Sequence, residues 1–386
     1  MFPPPADLLA DLVRRPSVNP MGRTDIPADL AYESRVTDYL EAQLKSLGVE
    51  YRRHPVAPGR DNLVARYAPP DPPGPPGRTY LWECHQDTVP TDGMTIDPFA
   101  AAVTGGRLAG RGACDVKAGA AAMLSAFGRL VRDRPAGSAA VILAFTVDEE
   151  HTFLGVQHLV RFGIAADAAV VAEPTGLDIV TAHKGVVRWS LETDGVACHS
   201  SMPERGANAV YGMARLITGV EAHAADLRAG PADPVLGPPS ISVGVVHGGV
   251  SPNTVPDRCR IDLDRRLVPG ETPAGAVARL DQALAAACPG VAYRTLPVTF
   301  ACPALAPTLS ADLVARLGAA IDAVRGRHET AAVPYGTDAS TLAEVGIPVV
   351  VFGPGDIAQA HTKDEWVELA QVDAAADILY RLAAAG

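Results

Sequence analysis

The chain opens with two stretches whose apolar residues recur every three or four positions, which is the spacing of one helix face. Leu8, Leu9 and Leu12 indicate the first helix. Beyond a proline-bearing stretch at residues 16–27, the second is indicated by Val36, Leu40, Leu44 and Leu47. A strand over residues 61–67 follows, and the stretch at 69–77, rich in Pro and Gly, predicts a surface loop between two strands.

Four short apolar runs, at residues 79–84, 139–147, 168–172 and 348–352, are rich in Val, Leu and Ala. The last three are nearly continuous, and a continuous apolar run is typical of a strand that is covered on both faces. Helical stretches at 116–132 and 156–162 lie between the runs. Strands that alternate with helices predict an α/β fold with a mostly parallel sheet.

The pattern changes between residues 181 and 297. Strands are predicted at 185–193, 240–247, 258–267 and 291–298, and helices at 208–225 and 273–287. This βαββαβ order is that of a ferredoxin-like module, and the α/β pattern resumes after it. With 386 residues the chain is also long for a single core. We therefore expect an α/β domain in two parts, residues 1–180 and 298–386, with residues 181–297 inserted as a second domain.

Composition narrows the possible partners. Hydrophobic residues make up 48% of the chain and the mean hydropathy is +0.11, as in globular proteins. The net charge is -11 and there is no long basic run, so nucleic acid is not expected as a partner. No apolar stretch reaches the roughly 18 residues of a membrane helix, so no membrane contact is expected.

The amino terminus and the cysteines bear on the compartment. The first nine residues lack the basic and apolar segments of a signal peptide. Six cysteines are scattered without paired spacing, which predicts buried free thiols in a reducing compartment. We therefore expect a cytoplasmic protein.

Each apolar run is followed by histidine or acidic residues. In chain order these are His85, Asp87, Glu149, Glu150, Glu173 and His361, and Asp115 adds a further carboxylate on a glycine-rich turn just ahead of a helix. Because ligands bind at the carboxyl ends of the strands in an open parallel sheet, these side chains are expected to meet at one edge.

So many carboxylates in one cleft would repel each other and raise one another's pKa. A divalent cation removes this conflict, and two histidines with three carboxylates, one of them bridging, suit two zinc ions. Two metal ions about 3.5–4 Å apart can hold a hydroxide and polarise a carbonyl group. A carboxylate left over from ligation is then a candidate general base. Taken singly, each cluster also has a structural explanation, such as a solvated helix start for Glu149 and Glu150.

Five segments resemble, in order, the motifs of the zinc-dependent family that holds acetylornithine deacetylase, succinyl-diaminopimelate desuccinylase, aminoacylase and glutamate carboxypeptidases. They lie at 85–90 (HQDTVP), 110–115 (GRGACD), 146–150 (TVDEE), 173–174 (EP) and 361–365 (HTKDE). The resemblance implies a catalytic α/β domain with an inserted lid and dimerisation domain. The chain departs from the family at Cys84, Val116 and Ala118, and none of these replaces a ligand.

The resemblance also assigns roles to these residues. It implies His85 and Glu173 as ligands of one metal ion, Glu150 and His361 as ligands of the other, and Asp115 as the bridge. Asp87 is implied to orient the imidazole of His85. Glu149 is implied to be the general base that takes a proton from water and passes it to the leaving amine. Zinc is the expected metal, although cobalt and manganese share these ligand preferences.

The inserted domain resembles the family at three more positions. His199 matches a histidine that the neighbouring subunit supplies to stabilise the tetrahedral oxyanion, which implies a homodimer. Asn253 and Arg266 match substrate-binding positions, where a guanidinium would bind a carboxylate in a bidentate fork. Gly353 and Gly355, from the second part of the α/β domain, are candidates to donate backbone N–H groups to the same carboxylate. A plain surface role stays open for both His199 and Arg266.

Within the family, the segments at 335–339, 353–355 and 360–361 look most similar to acetylornithine deacetylases. The resemblance therefore implies a small-molecule N-acyl amino acid as substrate, with deacetylation of N-acetylornithine or a related N-acetyl amino acid as the first hypothesis. Desuccinylation of N-succinyl-diaminopimelate and carboxypeptidase or aminoacylase action are alternatives. A binding protein that uses the metal site without catalysis is a further alternative, and the presence of both Glu149 and Asp115 argues against it.

Overall fold

A computed structural model of the chain describes residues 2–70 and 77–386. The loop expected at 69–77 therefore falls largely on residues 71–76, outside the described residues. The chain divides into two compact units. The main unit comprises Met1–Thr181, Pro307–Ala331 and Thr337–Gly386, and the second unit comprises Ala182–Ala306 and Ala332–Gly336.

The first part of the main unit alternates helices with strands, as expected. Its elements are α1 (Pro5–Val13), α2 (Ser34–Leu47), β1 (Glu50–Ala57), β2 (Arg60–Tyr67), β3 (Thr79–His85), β4 (Ala102–Thr104), β5 (Arg107–Ala109), α3 (Lys117–Asp133), β6 (Ala140–Thr146), α4 (Leu154–Arg161), β7 (Ala168–Val171) and β8 (Ile179–His183). The two amino-terminal helices are confirmed, and Leu8, Leu9 and Leu12 are completely buried. Sequence analysis missed β1, because its residues are half-exposed or exposed along the whole strand and carry no apolar run.

The second unit carries the βαββαβ order expected from the sequence. Its elements are β9 (Gly185–Asp194), α5 (Ala209–Ala229), β10 (Ser240–Gly248), β11 (Arg258–Leu267), α6 (Pro273–Ala287), β12 (Arg294–Thr295) and β13 (Phe300–Cys302). The strands lie in the order β10-β11-β9-β12, and the described pairings between neighbours are antiparallel. Apolar residues of both helices and of the central strands form a core of their own.

The last strand of this unit differs from the expectation. A strand was predicted over residues 291–298, whereas β12 pairs with β9 only at Arg294 and Thr295. Pro297 follows closely and has no backbone N–H to continue the ladder. Pairing with β9 resumes at Phe300–Cys302, so the second unit extends beyond residue 298.

The chain then completes the main unit, except that residues 332–336 belong to the second unit. The remaining elements are α7 (Ala311–Arg325), β14 (Thr330–Val333), α8 (Ala339–Glu344), β15 (Val349–Val351), β16 (Trp366–Glu368) and α9 (Leu369–Ala384). Helix α9 packs against α3 and α7, and α1 packs against α3. Among the described residues, no helix combines the length and the apolar character that a bilayer-spanning segment needs.

An eight-stranded sheet forms the centre of the main unit, in the order β1-β2-β6-β3-β7-β15-β8-β14. The middle strands β6, β3, β7 and β15 run parallel to one another, while β1, β2 and β6 pair antiparallel. The α/β class with a mixed, mostly parallel sheet is therefore confirmed. Since β3, β6 and β7 run in the same direction, the polar residues that follow them lie at one edge of the sheet.

Candidate metal centre

Two groups of metal-ligating side chains meet at this edge of the main unit. The first group is His85, Asp115 and Glu173, and the second is Asp115, Glu150 and His361. Within each group the candidate ligand atoms all lie within 4.8 Å of one another. The structure thus brings together the five side chains that the sequence predicted as ligands.

Asp115 belongs to both groups because its two carboxylate oxygens face different histidines. Its Oδ1 lies 3.3 Å from Nε2 of His85, and its Oδ2 lies 3.2 Å from Nε2 of His361. The turn that holds Asp115 follows Gly110 and Gly112, both of which have positive φ angles. A Cβ atom at Gly112 would come 2.6 Å from a methyl group of Thr88, so the turn requires glycine there.

Each histidine has a glutamate of its own. Oε1 of Glu173 lies 3.8 Å from Nε2 of His85, and Oε2 of Glu150 lies 3.2 Å from Nε2 of His361. The two histidines differ in burial, since 2% of the His85 side chain is exposed against 54% of the His361 side chain. One group is therefore enclosed by protein and the other opens to solvent.

Glu149 is a carboxylate at the site that belongs to neither group. It follows β6, is buried, and has Oε2 4.0 Å from Nε2 of His85. Burial raises the pKa of Glu149 well above its usual value; the nearby His85 opposes this rise, and the charges of Glu173 and Glu150 add to it. A carboxylate with a raised pKa that holds no metal ion is suited to accept and return a proton.

The charges at the centre fit a bound cation. Burial raises the pKa of Glu173 well above its usual value, and the charge of Asp115 raises it further. The hydrogen bonds of His361 with Asp115 and Glu150 raise the pKa of its imidazole to about 11. Nε2 of His85 is buried and has no well-directed hydrogen bond to any residue that the structure describes. Without a metal ion, bound protons therefore balance the negative charge of the buried carboxylates. Divalent cations can take the place of these protons.

Asp87 contacts His85 in a different way from the one expected. The nearest acceptor to Nδ1 of His85 is the main-chain carbonyl oxygen of Asp87, at 3.0 Å, whereas the carboxylate Oδ1 lies at 3.6 Å. The carboxylate instead accepts the backbone N–H groups of Glu149 and Glu150, each at 3.2 Å. Asp87 therefore orients the imidazole through its main chain and holds the turn that carries both glutamates through its side chain.

A buried polar network supports this turn from the other side. Asn19 donates to Oδ2 of Asp87 at 2.8 Å and to Oδ1 of Asp148 at 2.9 Å. Arg60 donates to the same Asp148 oxygen at 2.6 Å and to Oε2 of Glu33 at 2.9 Å. Asp148 has a φ of 69°, a left-handed conformation that is uncommon for a residue other than glycine. These contacts hold a strained turn in place. Nothing in the sequence indicated that Asn19, Arg60 or Glu33 takes part.

A second pair of buried carboxyl groups lies close to the centre. Thr146 donates to Glu83, and its Oγ1 lies 3.3 Å from Oδ2 of Asp338. Burial raises the pKa of Glu83 to about 7, and burial together with the charges of Glu83 and Glu149 raises that of Asp338. The sequence contained one signal for this pair, because Glu83 is a charged residue inside an apolar run.

Gly353 and Gly355 have their backbone N–H groups engaged within the protein. Gly353 donates to Oγ1 of Thr175 at 3.1 Å, and Gly355 donates to Oε1 of Gln371 at 2.8 Å. A Cβ atom at Gly353 would lie 2.6 Å from the carbonyl oxygen of Glu173, so close backbone approach explains this glycine. A substrate carboxylate would have to displace these internal acceptors to reach either N–H group.

The remaining predicted site residues belong to the second unit. His199 is exposed, and its Nδ1 lies 2.8 Å from Oγ of Ser201 and 3.2 Å from the backbone N of the same residue. Asn253 is exposed and bonds to Ser251. Arg266 is half-buried and donates to Oδ1 of Asp264 at 2.7 Å, so its guanidinium already has a carboxylate partner.

Within the described residues, the six cysteines form no disulfide bond with one another. Cys84, Cys114, Cys259 and Cys302 are buried, while Cys198 and Cys288 are only half-buried. Burial raises the pKa of the Cys84 thiol well above its usual value, and its Sγ contacts the carbonyl oxygens of His85 and Val116. This supports packing rather than metal ligation for Cys84.

Comparison with known proteins gives a consistent result. Peptidase family M20/M25/M40 matches residues 81–385. An acetylornithine deacetylase from Erwinia tasmaniensis is 32% identical over 386 residues, covering 97% of this chain and 95% of that protein. An N-acetyl-L-citrulline deacetylase from Xanthomonas campestris pv. campestris is 31% identical over 355 residues, covering 90% of each chain. An M20 family metallo-carboxypeptidase from Sulfolobus solfataricus shares the fold, with a TM-score of 0.79, 19% identity and 98% coverage of each chain.

The matched region includes every segment that carries the candidate metal centre, from His85 to His361. The family resemblance predicted from five short motifs is thereby confirmed over most of the chain. This chain belongs to peptidase family M20/M25/M40.

Proposed function

We propose that this chain hydrolyses the amide bond of an N-acyl amino acid, with two divalent metal ions bound in the main unit. The observation that carries the proposal is the position of Asp115, which presents one oxygen to His85 and the other to His361. Each histidine has its own glutamate nearby, so the side chains form two ligand sets that share one carboxylate. Relatives that are deacetylases of N-acetyl amino acids support the choice of reaction.

In this proposal His85 and Glu173 would hold one ion, His361 and Glu150 would hold the other, and Asp115 would be shared by both. When bound, such a pair of ions lowers the pKa of water and polarises the substrate carbonyl. Zinc is the first candidate because imidazole and carboxylate ligands suit it, and cobalt and manganese are the alternatives.

Glu149 supplies the proton transfers. It lies 4.0 Å from Nε2 of His85, at the side of the first ligand set. Its carboxylate takes a proton from the attacking water as the new C–O bond forms at the acyl carbon. It then gives that proton to the amide nitrogen as the C–N bond breaks, which releases a carboxylic acid and a free amino acid. Its raised pKa suits both directions of transfer.

The first substrate hypothesis is an N-acetyl amino acid of the ornithine type, and the product is then acetate. Two relatives at similar identity are named for acetylornithine and for N-acetyl-L-citrulline, whose side chains differ in charge. N-succinyl-diaminopimelate and peptide substrates remain the alternatives within the family. A binding protein without catalysis is less well supported, because the base position and all five ligand positions are occupied by competent side chains.

A substrate panel combined with metal analysis tests this proposal. The panel comprises N-acetylornithine, N-acetylcitrulline, N-succinyl-diaminopimelate and a dipeptide, ranked by kcat/KM. Purified protein should contain close to two transition-metal ions per chain and should lose activity on chelation. Protein that binds no such ion, or that keeps full activity after exhaustive chelation, would refute the proposal.

Two adjacent glutamates provide a matched pair of variants. Glu149→Gln should keep both metal ions and lose kcat by several powers of ten, because the proton acceptor is gone. Glu150→Gln should instead weaken the binding of one metal ion, because a neutral amide replaces an anionic ligand. Unchanged turnover in Glu149→Gln would show that another group is the base.

We further propose that the protein is a homodimer in which His199 of one subunit serves the active site of the other. Strand β10 supports this, because it pairs with β11 on one side and no described strand pairs with its other side. Val245 and Val246 on this strand are 42% and 59% exposed. An exposed apolar edge strand is a ready site for pairing with a second copy around a two-fold axis. The imidazole of His199 is exposed, so it is accessible to a second subunit and can donate a hydrogen bond to an oxyanion.

Subunit mixing tests the shared site. His199→Ala alone should lower kcat more than it raises KM, because an oxyanion donor acts mainly in the transition state. Mixing inactive His199→Ala with inactive Glu149→Gln should restore activity, because one of the two sites in each mixed dimer then has both residues. No recovery after verified subunit exchange, or a monomer in solution, would contradict the proposal.

A further inference from the structure

Glu365 has a buried carboxylate that none of the roles above uses. Its side chain is completely buried and accepts four donors. Nη1 of Arg111 donates at 2.6 Å and the N–H of Gly112 at 3.0 Å, both to Oε2. The N–H groups of Cys114 and Asp115 donate to Oε1 at 2.8 and 3.0 Å. Four donors fill the acceptor capacity of a carboxylate.

Three of these donors are backbone N–H groups of one short loop, the loop that ends at Asp115. Successive N–H groups that converge in this way form a concave anion site, which in other proteins holds a phosphate or a cluster. Here the anion is a side chain of the same chain. The loop at 112–115 therefore takes its shape around Glu365.

Glu365 also belongs to the segment that carries His361. Its own carbonyl oxygen accepts the N–H of Gly110 at 3.0 Å, and the following residues Trp366–Glu368 pair with Arg107–Ala109 as antiparallel strands. Glu365 thus connects the segment that carries His361 to the loop that ends at Asp115. These two segments supply two of the three side chains of the second ligand group.

Burial does little to fix His361 itself, because 54% of its side chain is exposed. His85 is held differently, at the end of a central strand with 2% of its side chain exposed. The position of His361 relative to Asp115 therefore depends on the attachment of its segment to the rest of the unit.

We propose that Glu365 is a positioning residue, which fixes the loop of Asp115 against the segment of His361 and thereby sets the geometry of the second ligand group. This inference rests on the metal centre of the proposed function and is independent of the substrate. The ligand group that Glu365 assembles is the more solvent-exposed of the two.

The test compares Glu365→Gln with Glu368→Gln. Glu368 lies in the same segment and also pairs with an arginine, since Nε of Arg107 donates to it at 2.7 Å. Its side chain is 35% exposed, and among the described residues no hydrogen bond or ion pair joins it to either ligand loop, so this control removes the same charge away from the centre. Metal binding is measured by calorimetric titration of chelated protein with zinc in the absence of substrate.

Glu365→Gln should bind the second zinc ion about 10–100-fold more weakly than wild type, which is the usual effect of losing a partner that orients a ligand. The first ion should bind with little change, and Glu368→Gln should match wild type at both. Activity of Glu365→Gln should recover when zinc is raised, whereas that of Glu149→Gln should not. Wild-type affinity at both positions in Glu365→Gln would overturn the inference.

Hydrogen exchange on the wild-type protein gives a second test, which does not require the variant to fold. The amides of Gly112, Cys114 and Asp115 should stay protected after chelation, because Glu365 rather than the metal holds them. Loss of their protection on chelation would refute the positioning role. If wild type hydrolyses no acyl amino acid while Glu365→Gln still loses the second ion, the proposed function fails and the positioning role stands.

Discussion

Replacing Asp87 by Asn tests how the turn of Glu149 and Glu150 is held. Burial opposes ionisation of Asp87, yet its contact with His85 and the charge of Arg60 hold its pKa below the usual value, so it acts as an anion. Its Oδ2 accepts Asn19 at 2.8 Å and the N–H of Glu150 at 3.2 Å, and its Oδ1 accepts the N–H of Glu149 at 3.2 Å.

An asparagine side chain has one oxygen and one NH2 group, so it cannot accept at both positions. If the oxygen takes the Oδ2 position, it still accepts Asn19 and Glu150, and the NH2 group faces the N–H of Glu149. This orientation loses the fewest bonds. The cost is one hydrogen bond to a charged acceptor, about 1.5–3 kcal/mol, and it falls on the backbone of the proposed base.

If the loss of this hydrogen bond moves Glu149 out of position, the full free energy appears in the activation barrier. In that case kcat/KM should fall roughly 10- to 150-fold, since 1.4 kcal/mol is a factor of ten in rate. The assay is the initial rate of deacylation on the best substrate of the panel, with metal content measured in parallel. Asp92→Asn is the control, because that carboxylate is 63% exposed and bonds only to Arg23 among the described residues. A kcat/KM for Asp87→Asn within twofold of wild type, at full metal content, would refute this account of the turn.

Three further predictions concern stability. Arg60→Met should lower the free energy of unfolding by about 3–5 kcal/mol in urea titrations, because it leaves Glu33 and Asp148 buried without their cation. Burial lowers the pKa of His183 to about 4, so its protonation favours the unfolded chain, and stability should fall by roughly 3 kcal/mol as pH drops from 6.5 to 4. His183→Gln should lack this loss. Chelation should lower the Tm more at pH 9 than at pH 6. In the metal-free chain the pKa of His361 is raised to about 11, and the pKa of Glu173 is raised as well. A group whose pKa is higher in the folded chain than in the unfolded chain makes folding less favourable as pH rises.

Each of these has a result that would contradict it. Arg60→Met that unfolds at the same urea concentration as wild type would show that burial of the two carboxyl groups does not depend on Arg60. For His183, equal acid sensitivity in wild type and His183→Gln would place the titrating group elsewhere. A Tm difference between metal-loaded and metal-free protein that is constant with pH would mean that the ligands carry no exchangeable protons.

Much of the candidate metal centre was predictable, because its polar residues come directly after strands that have a clear apolar run in the sequence. Apolar runs identify β3, β6 and β7, and a ligand that follows such a run must lie at the end of that strand. His85, Glu150 and Glu173 were found in this way. Strand β1, in contrast, has no apolar face of its own, and β12 is cut short by a proline that pattern analysis placed inside the strand.

The contacts that support the centre were not predictable, even where the residue itself, such as Asp87, had been named from the sequence. Glu365 and Asp87 bind backbone N–H groups, and every residue except proline has the same N–H group, so the sequence carries no mark of the partner. Asn19 and Arg60 each reach groups on separate segments. Nothing in their local sequence distinguishes them from surface polar residues.

The sequence by itself determined the family, the alternation of strands and helices, and the side chains that act as candidate ligands. The local order of residues and the spacing of apolar positions are sufficient to predict these features, because the end of a strand and the residues that follow it are neighbours in the sequence. Only the tertiary structure decided that Asp115 faces both histidines, that the Asp87 side chain holds the turn of Glu149 and Glu150, and that Glu365 joins two distant loops. Such contacts depend on distances and donor directions between segments, which arise only when the chain is packed.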